Sequence, residues 1–401
     1  MSPDPANPSM GGAPQRFECG APVHLVDTGS DHDDLGAPQA GIALCLSGGG
    51  YRAMLFHLGA LWRLNEIGYL PKLDRISSVS GGSITAGVLG LKWGRLAFGA
   101  GGVSAAFDAE VVQPLRELAS TTIDEGAVIG GVLLPGSVSD KVVSAYRKHV
   151  FGTATLQDLP SDPPRFVINA TSVQTGALFR FSRPFAADYH IGQVLNPTFE
   201  LAVAVAASSA FPPVLSPLKL DIHPASWAPA SGLEAEDLHR EPFLSRAVLT
   251  DGGVYDNLGL ETAWKKYQTV LVSDGGGKME AEDAPHTDWA RHAIRINDII
   301  DNQVRSLRTR QVIGSFETGD RTGTYWGIRS DISEYGAPDA LPCPFEQTTI
   351  LARTPTRLKR LDDGTQEQII NWGYAICDAA LRKYLDATDP APQFPYPAIG
   401  V

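Results

Sequence analysis

The pattern of apolar and polar positions is silent at first and then becomes regular. Residues 1–39 are rich in Pro, Gly and Asp and carry no hydrophobic period, which predicts a flexible or surface-draped lead-in. Order begins at G-I-A-L-C-L, residues 41–46, a short continuous apolar run of the kind found in a strand buried on both faces. S-G-G-G-Y-R follows at once. Leu55, Leu58, Leu61, Trp62 and Ile67 then mark one face of a helix that stops at Gly68. Leu73 to Val79 reads as a second strand and Ser83 to Lys92 as a second helix. Strand, glycine loop, helix, strand, serine turn, helix is a βαβα unit, which implies a parallel sheet with right-handed crossovers.

Further along, residues 95–160 are mostly helical in composition, with glycine-rich breaks. R-F-V-I-N-A-T-S (165–172) and G-A-L-F-R-F-S (176–182) read as neighbouring strands, and Asn196 to Ser209 as a helix ending before F-P-P. Residues 222–245 read as a long surface loop or insertion. Strand R-A-V-L-T leads to Asp251-Gly252-Gly253, and strand T-V-L-V-S to Asp274-Gly275-Gly276-Gly277. Asp288 to Glu317 and Glu367 to Leu385 are amphipathic helices. No repeat or compositional break divides 40–390. The expectation is one α/β domain with a core over 41–277, helical additions over 278–390 and a tail over 391–401.

Charge narrows the partners. The 401 residues carry a net charge of −12, so the average surface repels a nucleic-acid backbone and has no general attraction for anionic lipid. Membrane contact would need a local basic or apolar patch. R-T-P-T-R-L-K-R (353–360) is the basic candidate, though a solvated turn is its commoner explanation. Cys19, Cys45, Cys343 and Cys377 are scattered, which argues against a disulfide framework and for a reducing compartment. Cys45, in its apolar run, is expected to pack as a small hydrophobe. No secretory leader pattern opens the chain, and no run approaches the ~18 apolar residues of a membrane span. The expected location is cytoplasmic. Asp31-His32-Asp33-Asp34 reads as a solvated acidic turn rather than a metal site, and no metal or cofactor is expected.

The loops after the first two strands carry the chemistry. In a parallel sheet the carboxyl ends of neighbouring strands lie side by side, and ligands bind there. Gly48, Gly49 and Gly50 expose backbone N–H groups at a helix start, a nest for a phosphate or for the oxyanion of acyl transfer. The second loop, Ser78-Val79-Ser80-Gly81-Gly82, has the small-x-Ser-x-Gly form of a nucleophile elbow, in which only small neighbours fit around a lifted central serine. Ser80 is therefore the candidate nucleophile among the four serines of I-S-S-V-S-G-G-S. A serine needs a base within hydrogen-bond reach. The nine histidines sit in unpromising places, whereas Asp251 closes a strand with glycines behind it. Asp274 opens a second Asp-Gly turn and competes with it on sequence physics alone.

These residues resemble the patatin-like phospholipases, lipid acyl hydrolases with a Ser–Asp dyad. Gly48-Gly49-Gly50-Tyr51-Arg52 matches the family's G-G-G-x-R loop, Ser80 its elbow serine and Asp251-Gly252-Gly253 its D-G-[GA]. A-A-S-S-A-F-P-P-V-L-S-P (206–217) is similar to another family block, and the likeness spans roughly Gly41 to Gly277. Ser47, Ala53 and Ser78 depart from common family residues, each by a small substitution. The resemblance implies a three-layer αβα sandwich with a mainly parallel central sheet. It implies Ser80 as nucleophile, Asp251 rather than Asp274 as base and then acid, and the glycine loop as oxyanion donor. Arg52 would brace the loop or meet a lipid phosphate. The implied substrate is a phospholipid or other lipid ester, met at a membrane periphery, with an activator conceivable and no cofactor.

Two rival readings remain. A Ser-Asp-His esterase would order Ser80, Asp251 and His286 or His292, an allowed chain order. A lipid- or phosphate-binding non-enzyme would use the glycine loop as a cradle, with Asp74 as a ribose partner, but neither G-x-G-x-x-G nor G-K-[ST] is present.

Overall fold

The computed structural model describes residues 38–124, 138–229, 238–277, 279–385 and 391–401. The Asp31–Asp34 cluster and Cys19 lie outside the described residues, as do parts of the 95–160 stretch, of the 222–245 loop and of the 278–390 additions. Eleven described strands form one mixed sheet. β1 (Gln39–Leu46), β2 (Arg75–Val79), β3 (Arg165–Ser172), β4 (Leu178–Phe181), β5 (Phe185–Asp188), β6 (Gly192–Leu195), β7 (Leu218–Asp221), β8 (Trp227–Ala228), β9 (Arg246–Asp251), β10 (Tyr267–Asp274) and β11 (Thr322–Gly327) follow in chain order. The spatial order is β11-β10-β1-β2-β3-β4-β5-β6-β8, with β9 between β3 and β7. The run β11-β10-β1-β2-β3 is parallel, and every pairing beyond it is antiparallel.

The continuous apolar run of β1 reflects burial on both faces. Leu44 and Leu46 join a large core with helices α1 (Gly50–Glu66) and α2 (Gly81–Lys92), while Ala43 and Cys45 join a smaller core with Ala263 and Val312 from helices on the opposite face. This alternation gives three layers, helices over sheet over helices. α1 is buried almost all round because the helix Asp363–Leu385 lies across its outer side. Gly59 and Gly373 make that crossing close: a Cβ on Gly59 would land on Ile370 O, and one on Gly373 on Phe56 O. A buried Arg63–Asp378 ion pair at 2.8 Å fixes the register. Gly373→Ala is therefore expected to destabilise the fold by about 1–3 kcal/mol or more through overpacking, measurable by urea unfolding.

Some element boundaries differ from the sequence reading. The helix expected from Asn196 begins at Leu201, because residue 200 forms a bridge to Thr155. β5, β6, β7, β8 and β11 were not legible, being short or lacking alternation, and β8 falls inside the stretch 222–245 expected to be a loop. The expected long helices occur as Trp289–Thr318 and Asp363–Leu385. No described helix is long and apolar enough to cross a membrane.

Candidate active site

Ser80 sits between β2 and α2 with φ 52° and ψ −118°, a left-handed backbone that costs a non-glycine residue on the order of 1–3 kcal/mol. The glycines behind it make the turn feasible. A Cβ on Gly81 would strike Gly50 O, and one on Gly82 would come within 2.7 Å of Ser47 O. The other three serines are structural. Ser77 accepts from Asn169 Nδ2 at 2.9 Å and from Thr262 Oγ1 at 2.8 Å. Ser78, where an elbow usually has glycine, is fully buried and donates weakly to Val167 O at 3.3 Å. Ser83 lies within bonding distance of Ser78 Oγ (3.0 Å) and Ser208 Oγ (2.9 Å). The Ser80 amide in turn donates to Ser208 Oγ at 2.9 Å, and Ser208 donates to Asn169 O at 2.6 Å.

Asp251 reaches the same place from the opposite direction. β4 pairs with β3 at 168–171, so the pairings of β3 with β2 (165–169) and β9 (170–172) must share its other edge. β2 ends with Val79 opposite Asn169, and β9 ends with Asp251 opposite Ala170. The two strands therefore run head to head along one edge and stop one residue position apart, about 3.3 Å of strand rise. Ser80 and Asp251 are the residues at that junction. Gly252 is required there, because a Cβ would land on Asn169 O.

Burial raises the Asp251 carboxyl to about 7, partly offset by the Gly253 N–H and the nearby Ser80 hydroxyl; Asp301 adds a smaller upward push. Its Oδ1 accepts from Gly253 N at 2.7 Å, whereas Oδ2 is buried without a hydrogen-bond partner. Ser80 is thus close enough to act on the carboxyl, although no bond of good geometry joins the pair. Such bonds are commonly loose without substrate and tighten with it. Ser80 is 7% exposed and Asp251 2%, while Val254, just after Asp251 in sequence, and Phe211 and Val214, which follow the Ala210 that accepts from Asp251 N, are about half exposed and apolar.

Of the three glycines expected as oxyanion donors, Gly48 is engaged: its N–H donates to Asn257 O at 3.0 Å. Gly49 (φ 144°) and Gly50 (φ 61°) hold backbone shapes that suit only glycine, and their N–H groups and that of Gly81 meet no described acceptor. Arg52 is a brace. It is 2% exposed and donates to Gly275 O (3.0 Å), Thr356 Oγ1 (2.9 Å) and Thr354 O, so each of its three nitrogens already holds an acceptor. Its partners add a role to R-T-P-T-R-L-K-R. The segment is the expected solvated turn, with Arg353, Arg357, Lys359 and Arg360 exposed, and its inner backbone also straps the glycine loop. Arg357 O accepts from Tyr51 N at 3.0 Å, its backbone presses on Gly50, and its side chain pairs with Asp124 at 2.8 Å.

The remaining candidates separate cleanly. Asp274 is raised by burial, but Arg305, Gly276 N–H and the Tyr325 hydroxyl outweigh this and hold it below the usual carboxylate range. It is an ionised anchor with its bonds in use, including Tyr325 at 2.8 Å. His57 is fully buried, bonded to Ser273 Oγ (2.8 Å) and Ser47 O (2.9 Å), and pushed down to about 4 by burial. His286 and His292 are exposed, and no described imidazole bonds to Ser80 or Asp251. Two contributors escaped the sequence reading. Ser208 holds the elbow, and Ala210 O accepts from Asp251 N at 3.0 Å, so the 206–217 block positions both ends of the pair. Asn257 joins the Asp-Gly turn to the glycine loop, and its place in V-Y-D-N was the only signal.

Fold and site together define a class: a three-layer α/β protein with a serine elbow facing a carboxylate beside a glycine loop. A family model described as patatin-like phospholipase matches residues 44–264, and the chain belongs to that family. Among solved structures, human GIVD cytosolic phospholipase A2 in complex with methyl gamma-linolenyl fluorophosphonate is similar at 13% identity and a TM-score of 0.51, over 87% of this chain and 59% of that one. The same human protein without that ligand gives 12% identity and 0.49 over 87% and 63%. VipD from Legionella pneumophila gives 15% and 0.31 over 79% and 67%. The chain thus spans about three fifths of the human phospholipase, and at this identity the likeness concerns the fold alone. No curated protein matches the sequence.

Proposed function

We propose that the protein is a lipid acyl hydrolase that cleaves carboxylic esters of phospholipids or related lipids through a Ser80–Asp251 dyad, without a metal or other cofactor. The observation that carries this reading is the head-to-head ending of β2 and β9 on one edge of β3, which sets a strained serine against a buried carboxylate of raised pKa. Asp251 takes the Ser80 proton as the hydroxyl attacks the ester carbonyl. It returns a proton to the departing alcohol, and the acyl-enzyme is then hydrolysed by water activated the same way. The amides of Gly49, Gly50 and Gly81 are the oxyanion donors, and Arg52 with the 354–358 strap holds that loop in place. The half-exposed Phe211, Val214 and Val254 give an acyl chain an apolar approach, in keeping with action at a membrane periphery. Residues 40–390 act as a single domain in this reading, with a cytoplasmic location.

An alkyl fluorophosphonate tests the nucleophile directly, because it phosphonylates an activated serine with loss of fluoride. One adduct per chain on Ser80, absent in Ser80→Ala and slowed in Asp251→Asn, is the expected mass-spectrometric result. Labelling elsewhere, or of the Ser80→Ala chain at the same rate, would overturn the assignment.

A further inference from the structure

Beside the proposed oxyanion loop, cationic side chains converge to an extent that the acyl-transfer chemistry does not use. β10 ends in the turn Gly275-Gly276-Gly277, which packs directly on that loop: a Cβ on Gly49 would lie 2.9 Å from Gly275 O. Arg52 and Arg305 flank this turn. A Cβ on Gly276 would lie 2.6 Å from Arg305 Nη1, and one on Gly277 3.0 Å from Arg52 Nη2. Arg329 follows the end of β11, whose Gly327 is paired in register with Asp274. Arg329 is near enough for the charges of Arg305, Asp274, Tyr325 and Glu280 to act on it.

Cations gathered in this way repel one another unless each has a partner. Arg52 has three acceptors. Arg305 lies 3.7 Å from Asp274 Oδ2 through Nε and 3.5 Å from Gly276 O through Nη2, while Nη1, toward the turn, has no described partner. Arg329 has no described hydrogen bond or ion pair. The neighbouring carboxylates are committed or distant: Asp274 to Tyr325, Gly276 and Arg305, and Glu280 to Arg353 at 3.5 Å. Asp301, on the same helix as Arg305, is the remaining one; its charge acts on Arg305, but no ion pair between them is described. Burial lowers the Arg329 and Arg52 pKa values, and Arg305 adds to both effects.

We propose that Arg305 and Arg329, over the 275–277 turn, form a subsite for a phosphate-bearing anion, either the head group of a lipid substrate or a soluble phosphate compound. Guanidinium groups suit phosphate because their planar N–H pairs match its oxygens, and hydrogen bonds between charged groups are the strong ones. The place suits a head group. β10 and β2 flank β1, so the turn lies two strand spacings, about 10 Å, from the turn that carries Ser80. In a glycerophospholipid the phosphate is only a few bonds from the acyl esters. The head-group assignment rests on the hydrolase reading above; anion binding does not.

The test uses the full chain and Arg329→Ala, because removing Arg305 would strand Asp274. Arg310→Ala, on the exposed face of the same helix as Arg305, is the control. Titration calorimetry with inorganic phosphate and glycerol 3-phosphate should show saturable binding in wild type and in the control, weakened roughly tenfold or more in Arg329→Ala. Hydrolysis of phosphatidylglycerol vesicles against diacylglycerol vesicles assigns the source. A fall of similar size in the ratio of the two kcat/KM values in Arg329→Ala supports the head group; an unmoved ratio with weakened phosphate binding supports a soluble phosphate compound. Absence of saturable binding in wild type, or equal binding by Arg329→Ala and wild type, overturns the subsite. Were the protein inert on every lipid, the calorimetric arm would still decide, so failure of the hydrolase reading and failure of the subsite are distinguishable.

Discussion

Ser80→Ala and Asp251→Asn are each expected to lower kcat/KM on a short acyl ester by on the order of 10⁴-fold, with both proteins folded. The reason is geometric. Ser80 Oγ is the proposed nucleophile at the elbow, and Asp251 Oδ2 is the buried acceptor without a partner of its own. The joint variant His286→Ala/His292→Ala should keep near wild-type activity, because both side chains are exposed and remote from these bonds. Loss of activity in that folded variant would point to a Ser-Asp-His triad instead. The wild-type pH profile carries an independent signature. The base must be ionised and its carboxyl titrates at about 7, so kcat/KM should fall about tenfold per unit below that value. A profile flat down to pH 5 would remove Asp251 from the role of base.

The second large effect is on stability and has the opposite sign. A buried carboxyl with a raised pKa holds its proton more tightly in the native chain than in the unfolded one, where Asp ionises near ~3.9. Between about 4 and 7 the native state therefore binds more protons, so this residue's contribution to stability falls as pH rises through that window and is fully unfavourable above it. The rise from ~3.9 to about 7 corresponds to a cost on the order of 4 kcal/mol at pH 8, largely set by burial. Asp251→Asn removes the buried charge while keeping the shape. It should melt a few degrees above wild type at pH 8 and lose that advantage at pH 4, by calorimetric melts at both values. A lower melting temperature for the variant at pH 8 would mean that the buried charge is better compensated than its surroundings indicate. The expected result is an inactive protein more stable than its active parent, the trade-off of a site built at a cost to the fold.

Much of this was legible from residue order because local rules carried it. An apolar run flanked by S-G-G-G marks a buried strand feeding a helix start, whatever surrounds it. Ser80 stands out because a tight strand-to-helix turn tolerates only small neighbours, a local steric fact, and Ser77, Ser78 and Ser83 could be set aside for the same reason. The glycines at 49 and 50 announce positive φ. The long helices announce themselves by period.

What tertiary structure alone decided was which distant groups meet. Asp251 and Asp274 both open Asp-Gly turns, and nothing in either local pattern reveals that one faces a serine while the other is held ionised by Arg305 and Tyr325. The pairing of β2 and β9 along one edge of β3 is a relation between segments some 170 residues apart, fixed by strand register. The basic 353–360 stretch is the solvated turn its charge predicts, but its second role was hidden for a related reason. Its backbone carbonyls and a hydroxyl also hold the glycine loop and Arg52, and a backbone acceptor has no signature in residue type. Sequence thus determined the local conformations and the position of the candidate nucleophile, because sterics and solvation act residue by residue. The protonation state of the base, the bracing of the loop and the clustering of arginines depended on long-range packing, because desolvation and charge pairing exist only once the chain has folded.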